Sequence, residues 1–241
     1  MPYYKKFFNP IVIKVKFILK KIIKSIFRKK KHIKYPNKGG WSGLKILPKV
    51  DFLIDIGIGH QGTEGLYKFF PNSTKYFIDP LIETKKAVSN HLNDPKNKFF
   101  ECALSSSTGQ LEIIVRDPIS QSGFNKKSKE SNSSYIRSVK VKTLDILFPK
   151  GTFNSTYGLK IDVEGHELDV IKGGLNLIKE SSFIIVETSI YKNRFKDSPS
   201  FKDIFLYVTK LGFEIASLRV SEDGIDHCDI AFINKKISPG N

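Results

Sequence analysis

The side chains best suited to chemistry stand at the ends of apolar runs. Leu53-Ile54-Asp55-Ile56-Gly57-Ile58-Gly59-His60-Gln61-Gly62 carries a hydrophobic stretch onto the carboxylate of Asp55 and then through closely spaced glycines. Gly57 and Gly59 lack the Cβ atoms that would keep a ligand off the main chain, so the turn can offer amides to a nucleotide-like molecule. Tyr157-Gly158-Leu159-Lys160-Ile161-Asp162-Val163-Glu164-Gly165-His166-Glu167 repeats that logic, and Phe183-Ile184-Ile185-Val186-Glu187 ends on a further acid. Acids and an imidazole gathered at such ends can take a proton from a hydroxyl. His166 is the simplest base, oriented through its other ring nitrogen by Glu164 or Asp162. The same acids could instead hold a divalent cation. Glu164 could also cap a helix that begins near Glu167, and Glu187 could bind an acceptor or only neutralise Lys160. His60 offers its backbone more than its ring, and His227 reads as a turn residue.

For these groups to meet, the runs must be parallel strands whose carboxyl ends converge, with helices returning the chain between them. Apolar strands are expected at residues 53–56, 75–78, 98–102 and 183–187, with later ones at 213–218 and 229–233. Helices are expected at 63–70, 82–92, 168–179 and 201–211. An added strand is expected at 111–115. The Ser-, Asn- and Lys-rich stretch 117–134 that follows is long for a loop inside a compact domain, and reads either as a plain flexible linker or, if a ligand orders it, as a lid over the acceptor with Ser122, Gly123 and Phe124 as candidate contacts. Read as Gly57-x-Gly59-x-x-Gly62 with Asp79 downstream, the turn has dinucleotide spacing and fits NAD. Asp55 speaks against that, because a carboxylate there repels a pyrophosphate and attracts a cationic α-amino group. S-adenosylmethionine carries such a group, and Asp79 is placed for its ribose hydroxyls.

At 241 residues the chain is long enough for one α/β domain with a sizeable core, and short for a dehydrogenase with a separate substrate domain. Cys102 and Cys228 are its only cysteines, too few for a disulfide framework or a cysteine metal cluster, which points to a reducing compartment. The formal charge is +16, but residues 1–38 hold thirteen Lys and Arg and no acid, leaving 16 − 13 = +3 for the rest. A basic arm thus precedes a nearly balanced body at 39–241. Within the arm, residues 10–31 alternate lysines with isoleucine, valine, leucine and phenylalanine at near-helical spacing, too charged to span a bilayer and suited to an anionic membrane surface. A helix packed on a partner protein, a nucleic-acid arm and a disordered tail are the alternatives. Nucleic acid is disfavoured because the body is nearly balanced in charge and so lacks a basic face by count.

The chain resembles the FkbM-type methyltransferases, a branch of the class I S-adenosylmethionine-dependent enzymes. The resemblance rests on Asp55-Ile56-Gly57-Ile58-Gly59, Phe77-Ile78-Asp79-Pro80, Ala103-Leu104-Ser105 with Gly109, Val141-Lys142-Thr143-Leu144-Asp145, Lys160-Ile161-Asp162-Val163-Glu164-Gly165-His166-Glu167 and Val186-Glu187, in that order. It departs at Gly59, where many members have Asn, and at Gln61, where they have Gly. It implies a Rossmann-like, doubly wound α/β fold with a seven-stranded sheet whose last strand is antiparallel. It also implies methyl transfer, most often to an oxygen on a sugar or related metabolite. Asp55, Gly57, Gly59 and Asp79 carry over as cofactor residues, with Ala103 and Leu104 at the level of the adenine. Asp162, Glu164 and His166 carry over as the acceptor-side cluster. Glu187 and Ser122 are expected to touch the substrate, and no metal is assigned. The expected setting is the cytoplasm, with the arm on the inner membrane face. The competing expectations are an NAD-dependent oxidoreductase and a cofactor-binding module without activity.

Overall fold

The computed structural model describes residues 41–124, 133–190, 195, 197–220 and 227–237. The arm at 10–31, the hinge at 35–40, the turn at Asp223-Gly224 and the centre of the 117–134 stretch lie outside the described residues. In chain order the strands are β1 (Phe52–Ile56), β2 (Thr74–Asp79), β3 (Lys98–Glu101), β4 (Ala103–Leu104), β5 (Gly109–Val115), β6 (Tyr135–Lys142), β7 (Tyr157–Ile161), β8 (Phe183–Ser189), β9 (Phe213–Val220) and β10 (His227–Asn234). The helices are α1 (Glu64–Tyr67), α2 (Leu144–Leu147), α3 (Glu167–Lys172), α4 (Leu175–Glu180) and α5 (Phe201–Lys210).

A seven-stranded sheet has the order β3-β2-β1-β7-β8-β10-β9. Its strands β3, β2, β1, β7 and β8 are parallel, and β10 lies antiparallel between β8 and β9. This is the mixed, doubly wound arrangement implied by the resemblance. Side chains alternate across it, as a period of two requires. Ile54, Ile56, Ile161 and Val186 pack on one side with Val170, Ile178, Ile204 and Val208 from the helices. Leu53, Phe77, Phe183 and Ile185 pack on the other with Leu44, Leu66 and Tyr67. Both faces are covered, so the central strands are mainly apolar, and β8 opens on the continuous run Phe183-Ile184-Ile185-Val186.

A second sheet has the order β4-β6-β5 and its own small core of Leu81, Ala103, Ile113, Val115, Val139 and Val141. The added strand expected at 111–115 is therefore the edge of an inserted sheet, and β6 joins it back to β4.

Several helices differ from expectation. The stretch 82–92 forms two 3-10 turns, Ile82–Val88 and His91–Asn93. Only Thr84 and Val88 of the first are buried, too narrow an apolar face to draw out an α-helix. The helix expected at 168–179 is broken into α3 and α4 at Gly173-Gly174. A Cβ on Gly173 would stand 2.0 Å from the Ser105 carbonyl oxygen, and one on Gly174 would stand 2.7 Å from Leu144 Cβ. Close chain passage thus sets the break. The final strand begins at His227, which pairs with Ser189 and is a strand residue, not a turn residue.

Candidate active site

The glycine turn leaves β1 at Gly57, whose φ is 81°, and passes Gly59 at 61° and Gly62 at 64°, all in the left-handed region. Space is also decisive at the first two. A Cβ on Gly57 would lie 1.7 Å from the carbonyl oxygen of Asp162, and one on Gly59 would lie 2.9 Å from Ser120 Cβ. The turn is tied to the end of β2. The amides of Ile58 and Gly59 donate to Asp79 Oδ2 at 3.0 and 3.3 Å, and the Leu81 amide donates to Oδ1 at 2.9 Å. Burial raises the Asp79 carboxyl to about 6, against the opposing pull of those amides and of Thr84.

Asp55 is not where the sequence suggests. It shares a face of β1 with Leu53, turned into the sheet, and its carboxylate is 1% exposed. The Tyr67 hydroxyl donates to Oδ2, and Lys160 Nζ lies 3.7 Å from Oδ1. The cause is register, because Asp55 and Lys160 are Cα partners on β1 and β7 and point the same way. Lys160 Nζ also donates to Asp162 Oδ2 at 2.9 Å. Burial works against its charge, but Asp162, Asp55 and Asp229 outweigh it and hold the ammonium protonated well above its ordinary range.

A cleft of about 560 Å³ lies over the carboxyl ends of β1, β2, β7 and β8. Among the residues expected at the site, Gly57, Gly59, Asp79, Ala103, Leu104, Ser122, Asp162, Glu164 and Glu187 line it. Carboxylate oxygens of Asp162, Glu164 and Glu187 all lie within 4.8 Å of one another. Glu164 sits at a φ of 55°, which turns the chain sharply after β7. The N-cap residue of α3, His166, makes no side-chain cap, and Glu167 fixes the loop before the helix, its Oε1 accepting from the amides of Val163 and Gly165 at 3.1 and 2.9 Å. Leu81, Ala103, Leu104, Ile113, Ile119 and Phe124 also line the cleft and give it an apolar end.

His166 lies outside the set of cleft-lining residues. Its Nε2 is 2.9 Å from Ser105 Oγ and its Nδ1 is 3.6 Å from Asp169, so neither Glu164 nor Asp162 orients it. Burial lowers its pKa, Asp169 partly opposes that, and Lys172 adds to it. His227 is better placed than its sequence context suggests, with Nε2 3.5 Å from Glu187 Oε1. Sequence reasoning also missed Arg219, which lines the cleft and donates from Nε to Asp229 Oδ2 at 2.6 Å. The available signal was alternation, because Arg219 and Asp229 are cross-strand partners on β9 and β10.

A doubly wound sheet with a bare glycine turn above an acidic cleft is the frame of a Rossmann-like enzyme. The model of the methyltransferase FkbM domain matches residues 57–215, well over half of the chain, and the protein belongs to that family. That family is one of methyltransferases and not of NAD-dependent oxidoreductases. The hexuronic acid methyltransferase AglP of Haloferax volcanii is 35% identical over 124 residues, 50% of this chain and 46% of that protein. The chain thus spans about half the length of that curated relative. Similar solved structures include a didemethyltoxoflavin methyltransferase of Burkholderia thailandensis with S-adenosylhomocysteine bound, at 9% identity and a TM-score of 0.45 over 97% of this chain and 92% of that one. Fibrillarin of Aeropyrum pernix with S-adenosylmethionine is another, at 12% identity and a TM-score of 0.42 over 78% and 68%. Among the described residues, no helix is long and apolar enough to cross a membrane.

Proposed function

We propose that the protein transfers a methyl group from S-adenosylmethionine to a hydroxyl of a sugar or glycan precursor. The observation that carries this reading is the cluster of Asp162, Glu164 and Glu187 carboxylates within 4.8 Å of one another beside the glycine turn. The cleft fits the donor in its parts. The turn of Gly57 and Gly59 lines it, Asp79 is a buried acid suited to ribose hydroxyls, and Ala103 and Leu104 stand at the apolar end. When bound, the donor supplies an electrophilic methyl group on a sulfonium, and the protein must supply position and a place for the acceptor's proton. Asp162, fixed by Lys160 and nearest Gly57, faces the positive end of the donor. Glu164 orients the acceptor hydroxyl, and Glu187 takes its proton. Asp55 serves from beneath, as the counter-charge that keeps Lys160 under Asp162. His166, outside the cleft wall, is not the base.

The acceptor class is supported by the relative that acts on a hexuronic acid. The three carboxylates could present oxygens to a divalent cation. Lys160 already sets a positive charge 2.9 Å from one of them, which works against a second cation there. The thirteen cations of residues 1–38 support an anionic membrane surface as the place of work.

Calorimetric titration of the full chain with S-adenosylmethionine and, separately, NAD tests the donor. Transfer of labelled methyl to para-nitrophenyl glucuronide, with the corresponding glucoside beside it, tests the acceptor. Binding of the first cofactor with label on a glycoside, lost in Glu187→Gln, is the expected result. Tight donor binding with label on neither sugar removes the sugar reading and returns the idle binding module to consideration.

A further inference from the structure

The segment from Ile119 to Phe124, between β5 and β6, crosses the cleft and touches both of its walls. Ile119, Ser120, Ser122, Gly123 and Phe124 all line the cavity. On the β1 side, Ser120 packs so closely on the glycine turn that only glycine fits at position 59. On the β7 side, a Cβ on Gly123 would meet Glu164 Cβ and its carbonyl oxygen at 3.2 Å. The strap is also held from behind. Gly123 bridges to Ile114 of β5, and its amide donates to the Ile114 carbonyl at 3.2 Å while the Ile114 amide donates back at 3.0 Å. The Arg116 amide donates to Ser122 Oγ at 3.0 Å, and Arg116 Nη1 donates to the Gln121 carbonyl at 2.8 Å.

The last residue of the strap has a partner of its own. Phe124 packs on the small core that contains Leu81 and Ala103, and its ring meets the His166 imidazole at a centroid distance of 4.9 Å and an angle of 61°. His166 in turn reaches Ser105 Oγ at 2.9 Å, directly after the β4 residues Ala103 and Leu104 that line the cleft. One imidazole therefore joins the end of β4, the start of α3 and the end of the strap. Burial keeps that ring neutral, so the contact persists near neutral pH. Edge-to-face ring pairs of this kind hold a preferred geometry and add to simple area burial.

We propose that His166 is a positioning residue, which through Phe124 holds the strap as the third wall of the cleft's apolar end, where it closes on the adenine of the cofactor. This rests on S-adenosylmethionine being the donor. It assigns the strap to the nucleoside, where sequence alone suggested a lid over the acceptor. It also accounts for a histidine that sits beside the reaction centre without facing it.

The test is calorimetry of the full chain with S-adenosylhomocysteine and with adenosine, which carries the base but not the amino-acid end. In Phe124→Ala both ligands are expected to bind about tenfold more weakly, the loss of one good aromatic contact. Phe124→Tyr, which keeps the ring, is expected to bind as wild type does. His166→Gln is expected to weaken both ligands by about threefold with the thermal midpoint unchanged, a smaller effect because it acts through Phe124. Should Phe124→Ala fail to fold, Phe124→Leu keeps apolar volume without a ring and gives the same comparison. Wild-type binding of S-adenosylhomocysteine with unchanged affinities in Phe124→Leu and His166→Gln overturns the strap's role and leaves the donor reading standing. A wild-type protein that binds neither ligand overturns the donor reading, and the strap's role falls with it.

Discussion

Replacing Lys160 by methionine removes the one ammonium set between Asp55, at 3.7 Å, and Asp162, at 2.9 Å. Methionine fills a similar volume in the apolar strand, so the loss is electrostatic. Asp55 is then left buried with the Tyr67 hydroxyl on Oδ2 and no hydrogen bond to Oδ1. Burial already pushes the Asp55 carboxyl upward, and Lys160 is the strongest of the groups that oppose it. Removing one partner of a buried pair costs about 3–5 kcal/mol. At about 2–4 °C per kcal/mol for a domain of this size, the thermal midpoint should fall by roughly 10 °C. Scanning calorimetry at pH 8 measures it. Adding Asp55→Asn should recover at least half of the loss, because the amide needs no counter-charge. Acidification should also stabilise Lys160→Met. An acid whose folded pKa is raised binds its proton more tightly when folded, so its penalty fades as pH falls through that pKa. A midpoint within 2 °C of wild type, approximated here as the ordinary scatter of about 0.5 kcal/mol for neutral substitutions, would refute the ion-pair account.

Three further outcomes follow from the geometry. Glu167, raised by burial to about 7, well above the ordinary glutamate range, should make the protein lose about 3 kcal/mol of stability as pH rises from about 4.5 to 7, and Glu167→Gln, which keeps an Oε1 acceptor, should flatten that part of a urea-denaturation profile. Gly57→Ala should fail to accumulate as folded protein because its Cβ would overlap the Asp162 carbonyl, whereas Gly151→Ala, at φ 85° with open space around it, should cost only about 1–2 kcal/mol in the same denaturation assay. Methyl transfer should survive exhaustive chelation by EDTA, and a requirement for added Mg²⁺ or Mn²⁺ would assign Asp162, Glu164 and Glu187 to a metal instead of to the acceptor.

The sheet was legible because β1, β7 and β8 are buried on both faces and are written mainly in apolar residues, broken in β1 and β7 by the paired Asp55 and Lys160, with glycine or acid at their carboxyl ends. The helices were less legible. Residues 82–92 carry helix-forming types, but their fate was decided by how little apolar surface they face, which local sequence does not state. Gly173-Gly174 was visible as a pair, while the reason for the break lies with Ser105 and Leu144, distant in sequence. At the site, the glycines and the acids of β7 and β8 could be found because strand ends converge in this class of sheet. The direction of Asp55 could not, since a strand-end acid points into the cleft or into the sheet according to its cross-strand partner. His166 posed the same difficulty one residue into a helix cap. Its partners, Ser105 and Phe124, come from opposite ends of the inserted sheet.

The place of β10 has a consequence for how the molecule comes into being. It is the last of the sheet's strands to be synthesised, yet it is inserted between β8 and β9 rather than added at an edge. Until residues 227–234 leave the ribosome, β8 exposes an unsatisfied hydrogen-bonding border, and the neighbourhood of Glu187 lacks Asp229 and His227. The half built from β3, β2, β1 and β7 has no such dependence and can assemble earlier in translation. A nascent chain arrested before His227 would therefore hold a formed glycine turn beside an open, sticky sheet, and would be a substrate for chaperones.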